Sequence, residues 1–574
     1  MLRLAGRETP APAMDAGAMH DRAQPRQAPQ LFAQGVSLAQ LVRLFTGIAW
    51  LIWGVYWYSN SARAGAAPLI AVVLAAAGLA AIPAGVLARS ADAAQRLDRL
   101  LFAGTAAIIV LTVVSASSWS AIGTDELPYD QFAAGALLHG LNPYAQSYLP
   151  LLRQLGIGGG TVTLHGALVP WIAYPALSFL LYVPGVAALG TDSYAASATD
   201  ALFWVAGAAL LWKLAQPQLR CWITLLFGSS LLLAPIIGGD TDALYIPFLV
   251  VALWKWDRFA DPDERGVWRW IGPVALGVAC SIKQTPWLLL PYLAIGVALE
   301  ARSRGGLWWR QPARYLGIAA AVYLVPNLPF IAWNPSLWAQ RTLLPFTGGL
   351  APVGPGPVGL IRAYGWGGGE LALFTLAALL AMGAAAALLV ARYRELKAIL
   401  PMLPMPGIFL STRPFTSYFL FAIPGLVACA LSVRATSPRL STRWTRWAWR
   451  AGAAAACAAL VAVALGLVAR APFDIAVIAS NASGATFTAT ARVTNVSAHA
   501  TTPAFVVTQQ ASPREPLLVL SGPSSLGPGA SAIYRFSAQA TGYTPHPGDN
   551  FQVIAMSTGP DAMSVSPIAV VPAS

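Results

Sequence analysis

APLIAVVLAAAGLAAIPAGVL, residues 67–87, carries no charged or hydrogen-bonding side chain from one end to the other. At about 1.5 Å of rise per residue a helix of this length matches the ~30 Å hydrocarbon core of a bilayer. Hydrocarbon offers no partner to a backbone N–H or C=O, so such a run must be helical. Similar runs recur on both sides of it. The sequence predicts about thirteen crossings: Arg43–Tyr58, Ala67–Leu87, Leu100–Trp119, Tyr194–Trp212, Trp222–Ile237, Ala243–Trp256, Trp270–Ser281, Trp287–Leu299, Tyr315–Ala332, Leu371–Ala391, Ala398–Leu410, Tyr418–Leu431 and Ala451–Val468. The stretch Trp171–Leu189, broken by Pro175 and Pro184, is expected to lie along the outer interface, since proline frees backbone groups that water or protein must satisfy.

The whole chain agrees with that reading. Of its 574 residues 57% are hydrophobic and 10% charged, against about 25% charged in soluble globular proteins. The net charge of +13 reports orientation and not a nucleic-acid partner: with the N-terminus placed in the cytoplasm, most Lys and Arg fall on inner segments, among them Arg89, Arg96, Arg99, Arg302, Arg304, Arg310 and Arg314. An odd number of crossings puts the C-terminus outside. Cys221, Cys280, Cys429 and Cys457 sit in apolar runs and act as small hydrophobes, not a disulfide framework. Residues 1–40 read as a disordered cytoplasmic tail and 41–470 as an all-α polytopic membrane domain. Residues 472–574, with alternating stretches such as ATFTATARVTNVS and SAIYRFSAQA, read as an extracytoplasmic β-sandwich.

The first large outer loop, residues 120–193, opens with SAIGTDELPYDQFAAGALLHGLNPYAQSY, which packs Asp125, Glu126 and Asp130 against the end of the third crossing. Acidic residues are ordinary in solvated loops. Here they are followed by Tyr129, the small residues Ala133 and Ala134, and a turn at Gly140–Tyr144 that folds the loop back towards the membrane. Asp125, Tyr129, Ala133/Ala134 and Leu141-Asn-Pro-Tyr144 resemble the first-loop pattern of the GT-C superfamily of membrane glycosyltransferases. Within it they are similar to glycosyltransferase family 87, the polyprenol-phosphate-mannose-dependent mannosyltransferases. Tyr174-Pro175-Ala176-Leu177 is similar to the aromatic-Pro-x-Leu stretch of that family, with Ala where a second Pro is common. The resemblance covers roughly Arg99 to Leu431. Two crossings precede the third and its loop here, where one is commoner, and the C-terminal domain is not general to the family.

The resemblance implies an inverting transfer of mannose or another hexose or pentose from a polyprenyl-phosphate donor to an extracytoplasmic glycan or glycolipid acceptor. Asp125 is expected as general base, with Asp130 and Glu126 as alternatives. Positive charge is scarce in outer segments, so Lys283 in SIKQTPW and Arg413 in STRPFTSY are candidates for the donor phosphate, with snorkelling as the ordinary alternative. His165 joins them as a phosphate contact, and Tyr129 and His139 as sugar or acceptor contacts. Asp240 and Asp242 in GGDTDALYIPF can orient sugar hydroxyls, hold a divalent cation or cap a helix. No zinc spacing, phosphate-cradling glycine loop or inner-side nucleotide-sugar signature is read in the sequence, which favours a lipid-linked donor. The expected location is a bacterial cytoplasmic membrane with chemistry on its outer side. A lipid-linked glycan transporter or flippase and a polysaccharide ligase are the rival readings.

Overall fold

The computed structural model describes residues 37–60, 67–116, 124–155, 160–264, 266–434, 442–483, 486–509, 512–538 and 547–572. Most of the expected tail, and the expected end of the third crossing at Trp119, lie outside the described residues. The chain is mostly helical with a β-rich C-terminal region. It begins with α1 (Leu38–Asn60), α2 (Ala67–Leu87) and α3 (Ala91–Ala116), and α4 (Glu126–Leu138) opens the loop that follows.

Six helices among the described residues are long and apolar enough to cross a membrane: Leu38–Ser59, Pro68–Leu87, Ala195–Leu214, Arg310–Trp333, Ala372–Ala391 and Thr442–Val468. A seventh crossing results if Pro217–Phe227 and Leu231–Ile237, bent by 47° to each other, act as one. Several other expected crossings are instead short or broken. Thr241–Tyr245 and Thr285–Leu289 are 3-10 turns that lead into Ile246–Leu253 and Leu290–Ser303, and Lys397–Met402 has a non-helical Ile399 at its centre. Pro247, Pro286, Pro291 and Pro401 stand at these breaks, each removing an N–H that a continuous helix would use. The breaks are tolerated because they are packed inside protein, where Tyr245, Leu289, Leu293 and Leu400 are buried in one large apolar core. The stretch after Trp171 forms only Leu177–Leu180 and Val183–Leu189, too short to cross. Asp200, out of place on an apolar helix, accepts a 2.6 Å hydrogen bond from the buried Tyr182 hydroxyl.

The first two helices meet backbone to backbone. A Cβ added at Gly78 would lie 2.5 Å from Leu51 N, and one at Gly54 would lie 2.6 Å from Ala75 N. Such close approach is how helices associate in lipid, where apolar burial gives no drive between them. Polar contacts then bind α1 to α3: Arg43 grips Asp98 through Nε and Nη2 at 2.7 and 2.9 Å, and the indoles of Trp50 and Trp53 donate to Thr105 and Thr112.

The C-terminal region comprises β1 (Phe473–Ser483), β2 (Thr486–Asn495), β3 (Ala504–Gln509), β4 (Ser512–Ser521), β5 (Ser531–Ala538), β6 (Asn550–Thr558), β7 (Asp561–Val565) and β8 (Ala569–Val570). They are hydrogen-bonded in the order β1-β2-β5-β4-β3-β6-β7, with β8 on β6. Alternation places Phe487, Ala489, Ala491 and Val493 of β2 inward, where Phe487 meets Phe551 of β6 edge-on. Ile554, Met556 and Met563 instead form a second core with Val162, Leu164, Val358 and Phe374 of the helical body. Met563 N donates to Gly368 O at 2.8 Å, and Leu371 N to Asp561 O at 2.9 Å, so the two regions are joined by backbone as well as side chains.

Replacing Gly78 with Leu is expected to separate α1 from α2 and destabilise the protein by roughly 1–3 kcal/mol. Gly317→Leu is the control, because nothing lies within 4 Å of a Cβ there. Thermal melts in detergent should show a drop for the first variant alone.

Candidate functional site

Two acidic stretches far apart in sequence meet at one lysine. The first is the start of α4, where Asp125 and Glu126 lie beside the helix N-terminus, whose unpaired N–H groups favour negative charge. The second is the turn Gly239–Asp242. Gly239 has φ +89°, a conformation suited to glycine, and Asp240 then caps the 3-10 turn by accepting from Asp242 N at 3.1 Å. Thr124 ties the two together by donating to Gly239 O at 2.9 Å.

Lys283 ends the helix Trp268–Ile282 in extended backbone, which turns its side chain into the gap. Its ammonium lies 2.8 Å from Glu126 Oε2, 3.0 Å from Asp242 Oδ2 and 3.4 Å from Asp240 Oδ1. Glu126 Oε2 also accepts from Thr241 N at 3.3 Å, and its Oε1 from the Tyr174 hydroxyl at 2.8 Å. The Tyr174 and Tyr418 rings face the ammonium at 5.3 and 6.0 Å. The three carboxylates present oxygens within 4.8 Å of one another, a spacing that suits a divalent cation. The ammonium already supplies a positive charge at the middle of that set.

One ammonium faces three carboxylates, two of them buried and Glu126 half-buried, and it cannot neutralise them all. All of these groups lie in connections outside the crossing helices. Burial and the charge of Asp242 push the Asp240 carboxyl up to about 7, against the pull of Lys283. Burial raises Glu126 in the same way, again opposed by Lys283. For Lys283 burial works against the charge, but Asp242, Glu126 and Asp240 more than reverse it and hold the ammonium protonated. Asp130, one turn beyond Glu126 on α4, is completely buried, and among the described residues neither carboxylate oxygen has a well-formed hydrogen bond, although the Ser178 and Thr241 side chains lie close enough to favour its charge. Burial pushes it up to about 8.

Asp125 stands at the edge of this cluster. Its Oδ2 accepts from Thr161 N at 2.9 Å, and no hydrogen bond reaches Oδ1 from the described residues. Burial raises its carboxyl, with the Thr161 N–H opposing. Arg413 faces Asp125 electrostatically, while its Nη1 donates to Ala351 O at 2.8 Å.

The remaining expected site residues are placed differently. The Tyr129 hydroxyl is buried and donates to Val169 O at 3.0 Å, so it braces the loop instead of facing a ligand. His139 is the exposed C-cap of α4, and His165 is exposed in a turn whose next residue, Gly166, packs on Ala504 of the β region. Lys283, expected to meet a donor phosphate, points into carboxylates. Tyr174 and Tyr418 lie within the stretches YPAL and STRPFTSY, but their convergence on Lys283 has no local signature. Tyr418 also lines a small apolar crevice of about 20 Å³, shared with Tyr245, Leu249, Leu288, Met405 and Ile408.

No family model, curated protein or solved structure matches the chain. The fold and site by themselves define a helical membrane protein with an acidic, lysine-bridged centre in the connections between its helices.

Two outcomes follow from the electrostatics. A carboxyl held above its unfolded pKa favours the native state when protonated, so its contribution is complete below about pH 4 and is lost as pH rises through the folded value. Asp130→Asn should therefore flatten the decline of melting temperature between about pH 4 and 8; slopes equal to wild type would show that Asp130 is already ionised. Lys283→Met leaves the carboxylates unbalanced and should cost about 3–5 kcal/mol. Millimolar Mg²⁺ or Ca²⁺ should restore part of that loss, measured as a shift in melting temperature that wild type does not show.

Proposed function

We propose that the chain is an integral membrane glycosyltransferase of the GT-C kind, transferring a sugar from a polyprenyl-phosphate donor to a glycan or glycolipid acceptor. The observation that carries this reading is the convergence of Glu126, Asp240 and Asp242 on Lys283 beside Asp125, in a body of long apolar helices. A reaction between a lipid-linked donor and a polar acceptor requires ionisable groups held close to an apolar helical body. In this reading the shorter apolar helices complete about thirteen crossings, the β region is a sandwich, and the site opens on the outer face of a bacterial cytoplasmic membrane.

Asp125 acts as general base. Its Oδ1 takes the proton of the acceptor hydroxyl as that oxygen forms a bond to the anomeric carbon. The bond from that carbon to the phosphate oxygen breaks, and its electron pair leaves with the lipid phosphate. The leaving group is a stable anion, so no acid need protonate it, and attack from the opposite face inverts the centre. Glu126 serves as a positioning group: both its oxygens are engaged, by Tyr174 and by Lys283 with Thr241, so it holds α4 and hence Asp125 in place.

A second reading, a transporter of a lipid-linked glycan, is favoured by the buried acids Asp130 and Asp200, since ionisable groups inside a helical membrane body often mark a substrate or proton path. The two readings separate in one assay. Purified protein in lipid is given radiolabelled polyprenyl-phosphate sugars and membrane acceptors. Wild type should transfer label, and Asp125→Asn should lower kcat about 10²- to 10⁴-fold with little change in donor KM. Absence of transfer from any such donor, together with lipid crossing the bilayer in reconstituted vesicles, would replace the transferase reading with the transporter.

A further inference from the structure

Arg341 is a guanidinium beside the centre with no acidic partner among the described residues. It lies on the helix Pro335–Thr342, which follows the crossing helix Arg310–Trp333 after one residue, Asn334. Asn334 caps the new helix by accepting from Leu337 N at 3.0 Å, and Trp338 Nε1 donates a hydrogen bond to Asn327 Oδ1 at 3.1 Å. Gln284 staples its end to the site, donating from the same Nε2 to Thr342 O at 2.8 Å and to Ala173 O at 2.7 Å. Arg341 is thus chain neighbour to Thr342, while the residues next to the other two ends of that staple are Lys283 and Tyr174.

The Arg341 Cζ lies 3.5 Å from the centroid of the Trp171 ring, a close cation–π contact that anchors the guanidinium. Its Nε and the indole N–H of Trp171 are buried and unpartnered, and no ion pair or hydrogen bond engages the guanidinium among the described residues. The other cations of the site are occupied, Lys283 by three carboxylates and Arg413 by Ala351 O. A guanidinium anchored over an indole face still offers N–H donors, in the fork geometry that matches phosphate. Beside it Trp333, Leu343 and Phe346 are exposed, and the preceding helix turns Val325, 72% accessible, and Leu328 outward. A charge flanked by exposed apolar surface suits an anion that carries an apolar tail.

We propose that Arg341, anchored over Trp171, binds a phosphate headgroup, and that the phosphate is that of a lipid. The transfer step then meets its leaving anion at Arg341, while Lys283 keeps the carboxylates together. That placement rests on the transferase reading; the phosphate site does not.

The test uses full-length protein in nanodiscs and reads tryptophan fluorescence during titration with polyprenyl phosphate, neutral polyprenol or inorganic phosphate. Wild type should bind polyprenyl phosphate. Arg341→Gln should weaken that binding about tenfold or more, and Arg341→Lys, which keeps the charge but loses the fork, by less. Polyprenol should bind weakly and equally to all three. A melting curve accompanies each variant, and if Arg341→Gln does not fold, Arg341→Lys and Trp171→Phe carry the comparison. Equal affinity of wild type and variants for polyprenyl phosphate overturns the site and leaves Arg341 as an interfacial anchor, whatever the transfer assay gives. Arg341-dependent binding of inorganic phosphate as tight as that of the lipid overturns the lipid source alone. Arg341-dependent binding of the lipid without sugar transfer keeps the phosphate site and removes the transferase.

Discussion

The ammonium of Lys283 joins parts of the chain that nothing else in their sequence brings together. It reaches Glu126 across 157 positions and Asp240 across 43. Without it three carboxylates would be forced together by burial, and each would repel the others in a medium that screens them poorly. Even with it, too little positive charge is present to offset every acid, so burial raises the Asp240 and Glu126 carboxyls against the pull of Lys283. Tyr174 and Thr241 meet the start of α4 through Glu126, the same carboxylate that Lys283 holds, and Thr124 adds a second tie to Gly239 O.

The broken helices account for how such a centre can be enclosed by apolar segments. A continuous helix passes its backbone through the membrane and presents only side chains. A helix interrupted by proline presents backbone ends and sharp turns inside the protein, and the turns at Asp240 and Lys283 are two of these. Interruption costs hydrogen bonds locally, yet it brings charged side chains in from the flanks. The short elements and the ionic centre are two aspects of one arrangement.

Much of this architecture is legible in the sequence, and unevenly so. The runs that form single long helices, such as Ala67–Leu87 and Ala372–Ala391, stand out because apolarity sustained over the full thickness of a bilayer fits little besides a membrane crossing. The shorter runs read as complete crossings, yet they fold as short or broken helices. Composition reports where a segment prefers to be, not whether it stays helical there, although the prolines in TDALYIPF and KAILPMLPMP mark the breaks. The alternation in β2 and β5 is clear, but their pairing order is not. In the first loop the acids are conspicuous, yet their roles depend on helix phase. Glu126 and Asp130 are four apart and share a face of α4, while Asp125 precedes the helix and faces elsewhere. Lys283 is visible as a scarce outer charge, and its actual partners are hidden because no local pattern encodes a contact across 157 residues. Arg341 gives no signal of its own, since a lone arginine in a Trp-rich loop reads as an anchor until its contact with Trp171 is seen.

The α1–α2 pair has a meaning for how the chain is made. Its closest contacts, at Gly47, Gly54 and Gly78, are all within the first 87 residues and require no partner synthesised later. A hairpin of this kind can seat itself in the bilayer while most of the protein is still on the ribosome. Arg43 must then wait for Asp98, which arrives with the next helix and closes the first completed unit of assembly.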